Sequence, residues 1–312
     1  MKVLITGVAG FIGSTAAEKL LDLGNDVVGI DAITDYYDQS IKRRNLSALD
    51  RDGFTFIEGD LNELPLAEIV GSVDAVVHLA GQPGVRSSWG ADFGIYTRAN
   101  VDATQRLLEA AKLGGNLRRF VYASSSSIYG QADVYPTDET MVPRPFSPYG
   151  VTKLAGEHLT SLYRENFGVP SVSFRFFTVY GPRQRPDMAF SRFLTAAEAG
   201  SPITVYGDGK QIRDFTFVDD IVAALIASIQ TSGELPPVMN LAGGSSVSVL
   251  EVLDTISSVT GRELKLDFQP AVDGDVVKTG GSSVLARSSL SWSPTVDVAS
   301  GIARQYAWMS AL

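Results

Sequence analysis

Apolar residues along the chain follow two alternating patterns. Short apolar, β-branched runs predict strands, and the segments between them carry apolar residues at helical spacing. The predicted strands read KVLITG, DVVGID, FTFIEGD, DAVVHLAG, RRFVYASS and SVSFRFFTVYG. The predicted helices are FIGSTAAEKLLDLG, which ends at Gly24, and segments of roughly 96–113 and 149–166. Near-continuous apolar strands separated by helices indicate a parallel sheet covered on both faces, so we predict an α/β fold with a doubly wound (Rossmann) sheet.

The alternation becomes irregular after about residue 181. Prolines and arginines cluster in GPRQRPDMA, and ITVYGDGKQIRDFTFV is predicted to form a hairpin. We therefore expect a large domain over 1–180, to whose sheet roughly 214–242 returns. Most of 181–312 is expected to form a smaller mixed α/β region that binds the substrate.

The composition narrows the possible chemistry. The 312 residues, 45% of them apolar, suffice for one large domain or two modest ones. There is no cysteine and there are two histidines, His78 and His158, which excludes disulfides, thiolate metal sites and a histidine-rich metal site. No metal is predicted. We expect His78, in an apolar strand, to be packed and hydrogen-bonded, and His158 to be solvated or at a helix contact.

The charge and the hydropathy pattern indicate which partners to exclude. The net charge of −9 disfavours nucleic acid and anionic lipid as partners. No apolar stretch reaches the ~20 residues that span a bilayer. The first residues, MKVLITGVAG, run directly into a strand pattern without the features of a signal peptide. We therefore expect a cytoplasmic protein.

The segment GVAGFIG predicts a dinucleotide site. It places Gly7, Gly10 and Gly13 after the first strand and at the start of a helix. Such a loop lets the backbone approach a pyrophosphate, which lies at the helix N-terminus. Asp31 ends the second strand, where a carboxylate accepts hydrogen bonds from a ribose and repels a 2′-phosphate, so NAD is predicted rather than NADP. Asp60, after the third strand, is a candidate partner for the adenine amino group.

The segment YGVTK predicts an acid–base pair. Tyr149 and Lys153 are four residues apart at the start of a helix, on one helix face. A lysine ammonium beside a phenol lowers the phenol pKa from its usual ~10. We therefore expect Tyr149 to act as a general base near neutral pH, as a positively charged nicotinamide would also favour.

These motifs resemble the extended short-chain dehydrogenase/reductase family, in particular its nucleotide-sugar epimerases and dehydratases. The resemblance covers essentially the whole chain and includes GVAGFIGS, DLNE, HLAGQPGVRSS, YASSSSIYG, SPYGVTK, FRFFTVYGP and DGKQIRDFTFVDD. It implies Ser125, Tyr149 and Lys153 as the catalytic set. The residues that it implies for binding NAD are Gly7, Gly10, Phe11, Ile12, Gly13, Asp31, Asp60, Leu61, Leu79, Ala80, Asn100, Tyr149 and Lys153.

The serine run at 124–127 separates the chain from part of that family. Relatives that eliminate water carry an Asp-Glu pair after the catalytic hydroxyl, and relatives that decarboxylate UDP-glucuronate carry a glutamate at the second of those positions. Ser126 and Ser127 occupy both positions here. Neither serine titrates near pH 7, so elimination lacks its acid and base. Removal and return of a hydride need only Tyr149, Ser125 and NAD, which favours an epimerase.

The segment TVYGPRQRPDMA resembles the corresponding stretch of UDP-glucuronate 4-epimerases. The resemblance implies that Arg185 and Thr178 grip the sugar carboxylate together with Ser126 or Ser127. UDP-galactose 4-epimerases generally place an asparagine where Thr178 stands. An arginine suits a carboxylate because its planar fork donates two parallel bonds.

The UDP end is expected to be held by arginines. We predict contacts from Arg192, from Arg213 and from Asp275, the last on the uridine ribose. The family often shows an arginine in the segment that reads PAVDGD here, and Val272 stands in its place. Phosphate binding is therefore expected to depend on Arg213 and Arg287.

These inferences predict 4-epimerisation of UDP-glucuronate to UDP-galacturonate through a 4-keto intermediate, with NAD tightly bound. Three alternatives remain open: a UDP-glucose/UDP-galactose 4-epimerase, a UDP-glucuronate decarboxylase, and a non-catalytic NAD-binding sensor. The helices around 100–113 and 149–166 resemble those that pair in family dimers, so we expect a homodimer. Their apolar faces could also belong to one core.

Overall fold

Seven strands form one fully parallel sheet in the order β10-β6-β5-β4-β1-β2-β3. The computed structural model describes residues 1–114, 117–270 and 278–312. The strands of this sheet are β1 (Lys2–Thr6), β2 (Asp26–Asp31), β3 (Phe54–Glu58), β4 (Ala75–His78), β5 (Arg119–Ser125), β6 (Ser171–Phe176) and β10 (Val238–Leu241). The predicted doubly wound α/β class is confirmed.

Helices pack on both faces of the sheet. The helices of the first 180 residues are α1 (Phe11–Asp22), α2 (Gln39–Ser47), α3 (Leu66–Gly71), α4 (Phe93–Thr97), α5 (Ala103–Leu113) and α6 (Pro148–Phe167). A π-helical turn, Arg98–Asp102, joins α4 to α5. One face carries a core that includes α1 and α8, and the other carries a core that includes α3 and α5. Burial on both faces explains why the strands are nearly continuous in apolar residues.

Two small sheets form the second region. Strands β7 (Thr178–Tyr180), β9 (Ile212–Phe217) and β11 (Ser246–Ser248) form a three-stranded sheet, and β8 (Ile203–Tyr206) pairs in parallel with β12 (Leu266–Gln269). The helices here are α7 (Ala189–Ala199), α8 (Val218–Gln230), α9 (Val249–Thr260), α10 (Val284–Leu290) and α11 (Val298–Ser310). Short 3-10 turns lie at Arg86–Ser88, Gly90–Asp92 and Ser126–Ile128.

Two sequence-based predictions in this region are wrong. The hairpin ITVYGDGKQIRDFTFV does not form, because β8 pairs with β12 whereas β9 pairs with β7 and β11. The predicted sixth strand is in fact two strands in different sheets, β6 and β7, separated by Phe177. The return to the large sheet is made by β10, with α8 packed on α1, while β9 stays in the small sheet. The division near residue 180 stays a prediction.

No helix within the described residues is long and apolar enough to cross a membrane. The same residues contain no group of three or more acidic or histidine side chains placed to hold a metal ion.

Candidate active site

A cavity of about 690 Å³ lies along the carboxyl ends of the parallel strands. The strand order reverses between β1 and β4, and this switch point is where doubly wound sheets bind their ligands. The predicted residues that line the cavity are Gly7, Gly10, Phe11, Ile12, Gly13, Asp31, Asp60, Leu61, Leu79, Ala80, Ser125, Ser126, Ser127, Tyr149, Lys153, Thr178 and Arg185. Most of the predicted site thus converges on one cleft.

The glycine loop at one end of the cavity has no room for side chains. Gly7 has a φ of +74°, and a Cβ on it would lie 2.8 Å from the Ala80 nitrogen. A Cβ on Gly13 would lie 2.1 Å from the Gly7 oxygen. No side chain caps the N-terminus of α1 at Gly10. The loop therefore leaves helix N–H groups beside the cavity, which fits the pyrophosphate of a dinucleotide.

The two predicted adenosine carboxylates both have partners in the protein. Asp31 is buried and accepts hydrogen bonds from the Ala9 nitrogen at 3.1 Å and the Ile33 nitrogen at 2.9 Å. Lys42, also buried, places its Nζ 3.7 Å from Asp31 Oδ1 and lines the same cavity. Sequence reasoning missed Lys42, because α2 is mostly polar and nothing in its pattern marks one lysine.

Asp60 is held at the mouth of this end. Its Oδ1 accepts from the Asn62 nitrogen at 2.8 Å, and its Oδ2 accepts from Arg98 Nη2 at 2.8 Å. These bonds hold the pKa of the Asp60 carboxyl below its usual value, although burial acts in the opposite direction. Asp60 therefore stays ionised at neutral pH. Its contact with adenine remains a prediction.

Asn100 acts on the loop beside the cavity and is not one of the described residues that line it. Its Oδ1 accepts from the Gln82 nitrogen at 2.7 Å, and its Nδ2 donates to the Gln82 oxygen at 3.1 Å and to Thr152 Oγ1 at 3.0 Å. A Cβ on Gly81 would lie 2.7 Å from Asn100 Oδ1. Asn100 thus fixes the loop after β4, a role that the predicted direct cofactor contact did not anticipate.

Tyr149 lies in the first turn of α6, against the end of β5. Ser147 caps this helix by accepting from the Gly150 nitrogen at 3.1 Å, and Pro148 opens it. Burial raises the pKa of Tyr149, while the Ser125 hydroxyl and the Arg185 charge act to lower it. Tyr149 and Ser125 are therefore coupled, as the motif predicted.

Lys153 is buried and lies beside the Tyr122 ring. Burial lowers the pKa of Lys153 to about 8, and its ammonium lies 4.9 Å from the centre of the Tyr122 ring. The groups that act to lower the Tyr149 pKa are Ser125 and Arg185, and the pKa is nevertheless raised. The predicted effect of Lys153 on the Tyr149 pKa stays a prediction.

Ser124, the first residue of the serine run, takes part in a buried hydrogen-bond network. Ser124 donates to Glu157 Oε2 at 2.6 Å, and the buried Glu157 is bound by Arg175 through Nη2 at 2.6 Å and Nε at 3.1 Å. Arg175 also donates to Tyr129 Oη at 2.7 Å, which donates to Asn240 Oδ1 at 2.8 Å. This network holds the end of β5 and ties it to β10. An arginine inside the apolar strand SVSFRFF was the sequence signal that a buried partner is needed.

Arg185 lines the same cavity as the glycine loop, as does Thr178. Its Nε donates to Asp187 Oδ1 and its Nη2 donates to Asp187 Oδ2, both at 2.9 Å. Sequence reasoning placed Arg185 here but missed Asp187.

The arginines predicted for the UDP end lie on α7, β9 and α10. Arg192 and Arg287 are exposed, on α7 and α10, and Arg213 donates to the Ile212 oxygen at 2.9 Å. None of these three is among the described residues that line the cavity. Asp275 and Val272 lie outside the described residues. The phosphate contacts therefore stay predictions.

Neither histidine contributes to the cavity lining within the described residues. His78 is buried between Thr6 Oγ1, at 2.7 Å, and Thr104 Oγ1, at 3.0 Å, and burial lowers its pKa to about 3. It is a neutral packing residue, as expected. His158 is exposed on α6.

The sequence profile of the NAD dependent epimerase/dehydratase family matches residues 3–242. The chain belongs to this family. Membership confirms the prediction of NAD as cofactor.

Individual relatives are similar over the whole length. A Bacillus subtilis (strain 168) protein described as the uncharacterized UDP-glucose epimerase YtcB is 41% identical, covering 100% of this chain and 99% of its own. The UDP-glucuronate 4-epimerase of Thermodesulfobacterium geofontis (strain OPF15) is 36% identical, covering 98% and 95%. The crystal structure of UDP-glucuronic acid 4-epimerase from Bacillus cereus, with UDP-glucuronic acid and NAD, is 39% identical with a TM-score of 0.96, covering 100% and 99%. Its Y149F mutant, with UDP-4-deoxy-4-fluoro-glucuronic acid and NAD, also superposes with a TM-score of 0.96.

Proposed function

We propose that this chain catalyses the NAD-dependent 4-epimerisation of UDP-glucuronate to UDP-galacturonate through a 4-keto intermediate. The observation that carries the proposal is that Tyr149, Ser125 and Arg185 line one cavity together with the glycine loop. NAD, when bound, accepts a hydride from the sugar C4 and returns it to the opposite face. The similarity to UDP-glucuronate 4-epimerases over the whole chain supports the same reaction.

Each residue at the sugar end has a distinct task in this proposal. Tyr149 removes the proton of the 4-hydroxyl and later returns it, while Ser125 orients that hydroxyl. Lys153 contributes a positive charge to the buried site. Arg185 holds the sugar carboxylate with Thr178, and Ser126 and Ser127 add neutral donors.

The surroundings of the sugar protect its carboxylate. Oxidation at C4 places a ketone β to the carboxylate, and such an acid loses carbon dioxide readily when the breaking bond aligns with the carbonyl π system. Of the described lining residues, the carboxylates are Asp31 and Asp60 at the adenosine end and Asp187, which Arg185 binds. The described lining residues therefore offer no unpaired acid beside Tyr149 that could drive a further bond cleavage. A carboxylate held in a fixed position also keeps its overlap with the carbonyl π system poor.

Separate incubations of the pure protein with UDP-glucuronate and with UDP-glucose, followed by NMR of the products, test the proposal. We expect UDP-galacturonate from the first incubation, with little UDP-pentose. Formation of UDP-pentose as the main product would identify a decarboxylase, and the absence of turnover on any UDP-sugar would contradict catalysis.

A UDP-glucose 4-epimerase is the second candidate, because the Bacillus subtilis relative at 41% identity is described as an uncharacterized UDP-glucose epimerase. The pairing of Arg185 with Asp187 also reduces the net positive charge that would exclude a neutral sugar. The incubation with UDP-glucose distinguishes the two: faster formation of UDP-galactose than of UDP-galacturonate would favour this candidate.

We also propose that the protein is a cytoplasmic homodimer. Val151 and Leu162, eleven residues apart on one face of α6, are 50% and 53% exposed, and Phe93 and Ile95 of the adjoining α4 are also exposed. A second copy would cover these faces. Sedimentation equilibrium is expected to give twice the chain mass, and Leu162→Glu is expected to give the monomer.

A further inference from the structure

The Arg185–Asp187 pair is a two-bond contact between a guanidinium and a carboxylate inside the proposed sugar site. The Nε–Oδ1 and Nη2–Oδ2 distances are both 2.9 Å. The Arg185 side chain is 21% exposed and the Asp187 side chain is 41% exposed. This is the geometry in which an arginine binds any carboxylate, including that of a uronate. The protein thus supplies its own carboxylate to the group that is proposed to bind the substrate's.

The pair stands on a rigidly held segment. Gln184, between β7 and α7, is buried and accepts on Oε1 from the Ser191 nitrogen at 3.0 Å and from Gln305 Nε2 at 3.0 Å. Its Nε2 donates to the Val179 oxygen at 3.1 Å. Because these bonds fix the backbone next to Arg185, the position of Asp187 two residues later is also restricted.

The remaining edge of the guanidinium is chemically competent for a second carboxylate. An arginine has five N–H donors, and Asp187 engages the edge formed by Nε and Nη2. The edge formed by Nη1 and Nη2 is a second fork of the same kind. The Tyr36 ring lies 5.8 Å from the guanidinium carbon and restricts its movement. A uronate bound on the second edge would share one positive charge with Asp187, whereas a neutral hexose would meet no such competition.

We propose that Asp187 is a specificity-determining residue that weakens the preference of Arg185 for uronates over neutral hexoses. The inference deepens the proposed function, and it rests on Arg185 contacting the sugar. Asp187 repels a uronate carboxylate and leaves a neutral C6 hydroxymethyl group almost unaffected, because only the former carries charge. Asp187 has two opposite effects on the affinity for UDP-glucuronate: fixing Arg185 raises the affinity, and neutralising Arg185 lowers it. We expect the charge effect to be the larger one when the guanidinium binds two carboxylates.

The test measures the dissociation constants of UDP-glucuronate and UDP-glucose, with NAD present, for the wild type and for Asp187→Asn. We expect the variant to bind UDP-glucuronate roughly fivefold more tightly, as for removal of one repulsive charge near a partly exposed pair, and to bind UDP-glucose with less than a roughly twofold change. Asp52→Asn, in the exposed turn before β3, makes the same change in net charge outside the cavity lining and is expected to alter neither constant.

Other outcomes overturn the inference. Weaker binding of UDP-glucuronate alone would mean that Asp187 orients Arg185 for uronates. Equal changes for both ligands would mean a structural role only. Because the readout is binding, it is separate from the turnover that tests the proposed function: a wild type that binds both nucleotides but epimerises neither would contradict the proposed function while still testing Asp187.

Discussion

The two ends of the cavity are built by different means. The cofactor end is formed by closely packed backbone, in which Gly7 and Gly13 lie against other main-chain atoms with no room for a Cβ. The proposed sugar end includes side chains that bind one another, as in the Arg185–Asp187 pair, and the buried Glu157–Arg175 pair, outside the described cavity lining, holds the end of β5. An added side-chain atom at the cofactor end therefore clashes with the main chain, whereas removal of one member of a charge pair leaves the other charge without its partner.

The largest expected effect is on turnover, from a substitution at Tyr149. Tyr149→Phe removes the proton acceptor, so we expect turnover of UDP-glucuronate to fall about 10³-fold while its dissociation constant changes little. Tyr163→Phe, in the same helix and hydrogen-bonded to Gln105 at 3.0 Å, should keep turnover within about twofold. Comparable activity of the two variants in an NMR assay would show that Tyr149 is not the base.

Breaking the buried Glu157–Arg175 pair should strongly destabilise the fold. Glu157→Gln leaves Arg175 buried without its counter-charge, which costs about 3–5 kcal/mol in free energy of unfolding. Glu58→Gln removes one partner of an exposed pair with Arg43 and should leave stability almost unchanged. Urea denaturation measures both variants, and equal small losses would contradict the role assigned to the buried network.

Filling the glycine loop tests the cofactor end. Gly13→Ala places a Cβ 2.1 Å from the Gly7 oxygen, so the free energy of unfolding should fall by about 2 kcal/mol. NAD binding should weaken at least about tenfold, since the loop backbone must shift. Gly71→Ala, where nothing lies within 4 Å, is the matched control for both measurements. A Gly13→Ala protein that binds NAD normally would refute the tight fit.

The smallest effect concerns Asp214 of β9, which accepts from the backbone nitrogens of Gly243, Gly244 and Gly281. Burial raises the pKa of this carboxyl from 3.8 to about 6. The folded protein therefore binds more protons than the unfolded one between those pH values, and stability falls as the pH rises through them. Relative to Asp214→Asn, the wild type should lose about 1 kcal/mol between pH 5 and pH 7. A pH-independent difference in urea denaturation would exclude this ionisation.

The same contrast explains what the sequence could predict. The glycine loop and the Tyr149–Lys153 pair are local motifs, each contained in about one turn of backbone. Their residues could therefore be predicted from sequence spacing, and they line the cavity. The hairpin between β8 and β9 was wrong because the partners of these strands, β12 and β7, are distant in sequence. Asp187 and Glu157 were missed because their importance depends on which arginine faces them, which no periodicity encodes.

The chain crosses three times between the two regions, because β10 rejoins the large sheet after β7, β8 and β9, and β11 then returns to the small sheet. Asn240 of β10 also closes the hydrogen-bond chain that begins at Ser124. A chimera that takes its C-terminal portion from another epimerase through one junction would therefore import a foreign edge strand along with the new sugar pocket. Exchange of the whole second region needs three breakpoints to keep that strand native, which makes single substitutions near the sugar the shorter evolutionary route to a new specificity.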